Sequence, residues 1–325
     1  MKKLLILSAM CMAMTAQATV LRVSNVTNSG APYATIPAAI AAAVEGDTIM
    51  VDGSPDAYSE NTGGYGAYVI INKRLVLMGP GYLLTQNGVQ SNGDQPATIS
   101  APLRVTADGA GSIIQGFNLT SDNALDIVGS NAVVTRCKIG CNVWVGTDAT
   151  NFVLHQNLIS GVVGRSNYNS YIAYNAQVTN NIFMTPNNST SGILNGYNES
   201  TIAYNIFAKR PQADDCVPLN KLAGCTIEHN IFFGSELALD NNTLLDNYWG
   251  SGDSPYQELT TDLEMKNADL GEQKDAMAGK GAFNGDDPYV ISGIPAGPVI
   301  QDITVPATVE QGGTLNVTIK LGIQK

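Results

Sequence analysis

Apolar residues in this chain recur in fixed columns. Between Ile113 and Trp249 an Asn followed by two apolar residues returns as Asn157-Leu158-Ile159, Asn181-Ile182-Phe183, Asn205-Ile206-Phe207, Asn230-Ile231-Phe232 and Asn247-Tyr248-Trp249. Two earlier units carry Phe117 and Cys137 in the Asn place, and the steps between units are 20, 20, 24, 24, 25 and 17 residues. A period of this size predicts a solenoid, in which each coil buries its apolar face against its neighbours. Three places before the Asn slot stand Ile114, Val134, Leu154, Val178, Ile202, Ile227 and Leu244; two places after it stand Leu119, Ile139, Ile159, Phe183, Phe207, Phe232 and Trp249. Strand side chains alternate faces with period two. That places Asn157, Asn181, Asn205, Asn230 and Asn247 inward, as a ladder whose amides bond from coil to coil. It also predicts that the preceding column, Gly116, Arg136, Gln156, Asn180, Tyr204, His229 and Asp246, faces outward.

The flanks read differently. Thr35-Ile36-Pro37 followed by Ala38 to Val44 predicts a helix with Thr35 as its N-cap and Pro37 in its first turn; Gly46 ends it and Asp47–Val51 resumes as a strand. Tyr68 to Gly81 reads as a first full coil and Pro96–Thr106 as another. Second strands of later coils are expected at Ala124–Val128, Val143–Val145, Val162-Val163, Gly192–Leu194 and Leu237–Leu239. After Trp249 the period stops, and Asp253–Asp287 is expected to fold over the C-terminal end of the solenoid. In the tail, Leu315, Val317, Ile319 and Leu321 alternate with polar residues and predict a half-buried strand partnered by Val299–Val305.

The helix followed by Gly46-Asp47-Thr48-Ile49, and the coil in which the basic turn Lys73-Arg74 precedes Leu75–Met78 and Gly79-Pro80-Gly81, resemble the N-terminal cap and first coil of pectin-lyase-like right-handed parallel β-helix proteins. The resemblance spans about residues 30–250 and implies an all-β, right-handed parallel β-helix with an N-terminal capping helix; a C-terminal β-hairpin completes the expectation. It specifies no chemistry, because such helices serve as lyases, hydrolases, epimerases, adhesins and inert scaffolds. The expected division is a signal peptide over 1–18, the β-helix with its cap and covering segment over 19–295, and a hairpin tail over 296–325.

Composition narrows the setting. Lys2 and Lys3, an apolar run from Leu4 to Met14 and Ala16-Gln17-Ala18 read as a secretory leader, so the mature chain is expected to be periplasmic, cell-surface or secreted. A lipid-anchored variant beginning at Cys11 is the alternative. Without the leader's two lysines the chain carries 15 basic and 28 acidic residues, which argues against nucleic acid and anionic membranes as partners. The leader's apolar run is too short to span a membrane, and no second long apolar run exists. Of Cys137, Cys141, Cys216 and Cys225, the last two could close a loop by a disulfide, or all four could be inert interior thiols.

Candidate chemistry is sparse. Lys209, Arg210, Asp214 and Asp215 form a mixed-charge loop that a calcium-dependent lyase of uronate polysaccharides could use, calcium being the one cofactor that reading requires. Arg165 and Asp126 could share a side of the stack. Tyr168, Tyr174, Tyr197 and Tyr204, with His229, could present rings to a sugar. Three functions stay open: an exported non-catalytic glycan binder or scaffold, a divergent polysaccharide lyase, and an adhesion or assembly protein that pairs through its tail strand. The partner in the first two would be a polysaccharide or cell-surface glycan.

Overall fold

A computed structural model describes residues 18–60, 68–88, 95–120, 124–147, 149–164, 173–185, 192–209, 217–234, 236–295, 297–306, 308, 314–315 and 317–324, with the side chains of 297–303 and 319–324 outside that description. Save for Ala18 the expected leader falls outside it, as do Cys216, Arg165, Tyr168, Arg210, Asp214 and Asp215. The apolar columns stack into three parallel sheets, so the chain is a parallel β-helix. Among the described residues the first sheet has ten strands, from Val20–Val23 to Thr243–Leu245. The second has eight, from Ala97–Ile99 to Tyr248–Gly250, and the third also has eight, among them Leu103–Val105, Leu125–Ile127, Val143–Val145 and Val163–Gly164. Leu219–Ala223 pairs with Leu194–Asn198 where Leu237–Leu239 was expected to continue the third sheet; Leu237 and Leu239 instead lie partly buried against the core.

The register keeps like on like. Val134 pairs with Leu154, Leu154 with Val178 and Val178 with Ile202, all fully buried. Inside the second sheet the rings of Phe183, Phe207, Phe232 and Trp249 stack at centroid distances of 4.5, 4.7 and 4.2 Å. The Asn column is inward and continuous. Nδ2 of Asn157, Asn181, Asn205 and Asn230 donates to Oδ1 of the next Asn at 3.0, 3.0, 2.9 and 2.9 Å. Each of these Oδ1 atoms also accepts the backbone N–H of the preceding coil's Asn, and each Nδ2 reaches a carbonyl in the first-sheet strand of the preceding coil, as Asn205 does to Val178 O at 2.8 Å. The row begins where Asn157 Oδ1 takes the N–H of Cys137.

The column before the Asn behaves otherwise than the alternation predicts. Gly116, Arg136, Gln156, Asn180, Tyr204, His229 and Asp246 all have φ between 47 and 75°, the left-handed corner that turns the chain from the first sheet into the second. Each non-Gly residue there is strained by about 1 kcal/mol or more; the ladder and the coil-to-coil backbone bonds hold it in place. A second left-handed column, Gly111, Asn131, Asn151, Asn175, Glu199, Gly224 and Asn241, returns the chain from the third sheet to the first.

The helix Ile36–Ala42 packs on Val20–Val23, Thr48–Val51 and Val69–Ile71. Thr35 Oγ1 accepts from Ala38 N, and Lys73 Nζ donates to the free carbonyls of Ile40 and Ala43 at its other end. The tail pairs Gly297–Thr304 with Thr318–Gln324 antiparallel; Leu315 and Val317, expected on a buried face, precede the paired strand and are exposed. Cys137, Cys141 and Cys225 are buried free thiols, and burial pushes the Cys137 thiol up to about 12.

Residues 251–295 do not simply cover the C-terminal end. They run back along the solenoid as a strap over the corner column and the outer face of the second sheet. Gly281 N donates to His229 O; Asn180 Nδ2 donates to the carbonyls of Ala282 and Asn284; Gln156 Nε2 donates to Asp287 and Pro288; Arg136 Nη1 donates to Ile294 O. The cause is the outer face itself. Its early positions are Asn118 and Lys138, but Leu158, Ile182, Ile206 and Ile231 follow, and these apolar side chains are buried by Tyr256, Met265, Met277, Ala282 and Tyr289 of the strap. The strap's far end is fastened by the buried Asp262 carboxylate, which accepts from Ser292 N at 2.7 Å, Tyr289 Oη at 3.1 Å and Asn87 Nδ2 at 2.6 Å; Tyr82 joins through a hydrogen bond to Tyr289. Burial raises the Asp262 pKa despite these donors.

Replacing Asn205 by Leu orphans the Asn181 N–H and the Val178 carbonyl inside the solenoid and should cost about 3–5 kcal/mol in urea unfolding, whereas Asn247→Leu, at the partly exposed end of the row, should cost about 1 kcal/mol. His155 Nε2 meets Asp287 of the strap at 3.0 Å while Nδ1 meets Thr179 Oγ1 at 2.8 Å. Burial lowers its pKa below the ordinary 6.5 against the raising effect of Asp287. The folded state therefore binds fewer protons than the unfolded state in the window below that value. Its stabilising contribution is complete above pH 6.5 and is lost as the pH falls through that window. Melting temperature followed from about pH 7.5 to about pH 5 should fall, and His155→Gln should flatten that part of the profile.

Candidate functional site on the third sheet

The third sheet alternates cleanly. Leu103, Val105, Leu125, Ile127, Val143, Val145 and Val163 point into the core, so the residues between them must face out. Register then lines up Ile70, Arg104, Asp126, Trp144, Gly164 and Asn195 on the outer side of the sheet, one coil apart at about 4.8 Å, with the row open from Ile70 to Trp144 and buried at Gly164 and Asn195. Arg104 Nε lies 3.3 Å from Asp126 Oδ2, and the Arg104 guanidinium carbon lies 5.7 Å from the centroid of the Tyr68 ring. Burial raises the Asp126 pKa and Arg104 pulls it back. Trp144, half-buried, occupies the next coil. Beyond it Gly164 has φ 133°, and a Cβ there would sit 1.9 Å from Asn195 O, so the row carries no side chain between the indole and Asn195. The Asn195 side-chain oxygen is buried and has no hydrogen-bond partner among the described residues.

An indole beside a mutually neutralised Arg–Asp pair offers an apolar face flanked by donors and acceptors. Such a surface matches a sugar ring, whose C–H face stacks on an aromatic plane while its hydroxyls bond the polar neighbours. The ion pair, being partly exposed, contributes little to stability.

Most of the candidates read from the sequence lie elsewhere. Lys209 Nζ is held by three carbonyls, Tyr256 O at 3.1 Å, Leu259 O at 3.2 Å and that of Gln257, and so anchors the start of the strap. Tyr197 is fully buried, because it shares an inward row with Ala173 and Leu222, and it cannot meet a ligand. Tyr204 stacks on His229 at 4.8 Å and is packed by Gly285 of the strap. His229 stands 3.7 Å from Asp246, which pairs with Lys280 at 3.0 Å. Gln156 and Asn180 of the same column are buried beneath the strap. That column is therefore mostly covered: it is a turn corner rather than a strand position, and the returning chain bonds the side chains of Arg136, Gln156, Asn180 and Asp246 and packs on Tyr204. Tyr174 is exposed at the edge of the third sheet. Arg104, Trp144 and Tyr68 were missed. The signal was present in Val143-Trp144-Val145, where strict alternation puts a large aromatic outside, but the irregular third arc hides the register that sets Trp144 beside Asp126.

No family model and no curated protein sequence matches this chain. Among solved structures it is similar to a pectin methylesterase mutant in complex with a hexasaccharide, at 13% identity and a TM-score of 0.30, over 86% of this chain and 100% of that one. It is also similar to a rhamnogalacturonan lyase, at 13% identity and a TM-score of 0.25, over 74% of this chain and 60% of that one. At these values neither likeness gives a residue of this chain a role.

Arg104→Gln should remove the charge that opposes burial at Asp126. The Asp126 carboxyl, followed by NMR titration, should then titrate at higher pH than in the parent protein; an unchanged midpoint would mean that the pair does not form in solution.

Proposed function

We propose that this is an exported, non-catalytic β-helix protein that binds glycan at or near the cell surface through the outward row of its third sheet. The observation that carries the reading is Trp144 stacked one coil above the Arg104–Asp126 pair. Coil spacing is about 4.8 Å, close to the length of one pyranose unit, so a chain of sugars lying along the stack could present successive rings to successive coils. Export rests on the leader pattern of residues 1–18.

The lyase alternative needs a free base beside a uronate carboxylate. Lys209 spends its three protons on backbone carbonyls, and Arg104 is tied to Asp126. Arg210 lies outside the described residues; at the third-sheet row itself, the engagement of Arg104 favours binding over elimination.

Binding to a panel of neutral and uronate-containing polysaccharides should weaken at least about tenfold on Trp144→Ala, with the melting temperature retained, while Tyr204→Ala leaves binding intact. Dependence on Tyr204 without dependence on Trp144, or no binding across the panel, would sink the proposal. Release of unsaturated uronate products would replace it with the lyase.

A further inference from the structure

Beneath the strap, away from the outward row of the third sheet, the second sheet and the two short helices Asp262–Lys266 and Lys274–Met277 line a half-open hollow of about 370 Å³. Ile206 and Ile231 form its floor, and Met265, Met277 and Phe283 line its walls. An apolar surface left in such a hollow gains by being covered with an apolar group. The volume falls within the range of small-molecule sites, about 300–1,000 Å³.

The polar lining is of one sign. Lys266, Lys274 and Lys280 contribute to it, and none of its described lining residues is acidic, in a chain with 28 acidic and 17 basic residues. Lys280 is committed to Asp246 at 3.0 Å. Lys266 and Lys274 are exposed and have no ion-pair partner among the described residues. Two unpaired ammonium groups beside an apolar hollow are complementary to a molecule with an apolar body and a negative head.

We propose that this cavity binds a small amphipathic carboxylate, with its alkyl or arylalkyl body on Ile206, Ile231, Met265, Met277 and Phe283 and its carboxylate at Lys266 and Lys274. Such a ligand touches both the solenoid and the strap. It therefore fixes the strap to the second sheet and stabilises the folded chain by mass action. The proposal is independent of the glycan row.

The test uses the full chain with ¹³C-methyl-labelled methionine, titrated with decanoate below its micelle concentration and, in parallel, with decanol, which has the same body and no charge. Decanoate should shift the Met265 and Met277 methyl signals saturably and bind at least about tenfold more tightly than decanol. The surface variant K266Q/K274Q, which removes no packed side chain, should weaken decanoate about tenfold, leave decanol unchanged and keep the parent melting temperature in the absence of ligand. Absence of a saturable shift at Met265 and Met277 overturns the proposal. So does equal affinity for decanoate and decanol, or full decanoate affinity in K266Q/K274Q.

Discussion

The architecture depends on a row of buried amides. A primary amide taken out of water must find partners for two donors and an acceptor. In Asn181 and Asn205 it does so within the stack, on the next coil's Asn, on a carbonyl of the preceding coil and on one two residues upstream in its own coil. Because each Asn binds both the side chain and the backbone of its neighbour, one coil cannot slide against the next without orphaning several groups at once. The row thereby fixes register, and fixed register brings phenylalanine over phenylalanine and valine over leucine. It also allows bulky residues such as Arg136, Gln156 and Tyr204 to occupy the left-handed corner, since the conformational strain at each is offset by the bonds on either side.

The corner gives the solenoid two unlike surfaces. On one side the strap crosses the turn column and the apolar outer face of the second sheet, satisfying Gln156, Asn180 and Arg136 with its own carbonyls. Asp262, Tyr289, Ser292 and Asn87 close this arrangement far from where the strap begins, so a single buried carboxylate links the C-terminal segment to an early coil. Both histidines of the chain lie along this seam. The strap is thus part of the core, and the short cavity under it is the place where the two layers fail to meet.

On the other side the third sheet keeps its outward row. There the side chains change from coil to coil, whereas the inward row barely changes, as expected when packing governs one face and solvent or a ligand the other. Arg104, Asp126 and Trp144 come from three different coils, and their adjacency is a product of stacking. The residues that looked most chemical in sequence, Lys209 and the tyrosines Tyr197 and Tyr204, are absorbed by structure: one anchors the strap, one fills the core and one lies under the strap.

The sequence by itself determined the parallel β-helix, its interior columns and the Asn row, because these are set by a short repeat that each coil must satisfy locally. It also held a second left-handed column, Asn131, Asn151, Asn175 and Asn241, at the same spacing as the ladder, and an outer face that turns apolar at Leu158. Only the tertiary structure decided that the column beside the Asn is a corner, that the chain after Trp249 runs back over it, and that Trp144 stands above Asp126. The reason is physical. Alternation assigns faces only within a strand and fails at a turn, and the pairing of residues across coils depends on arc lengths that vary from one coil to the next.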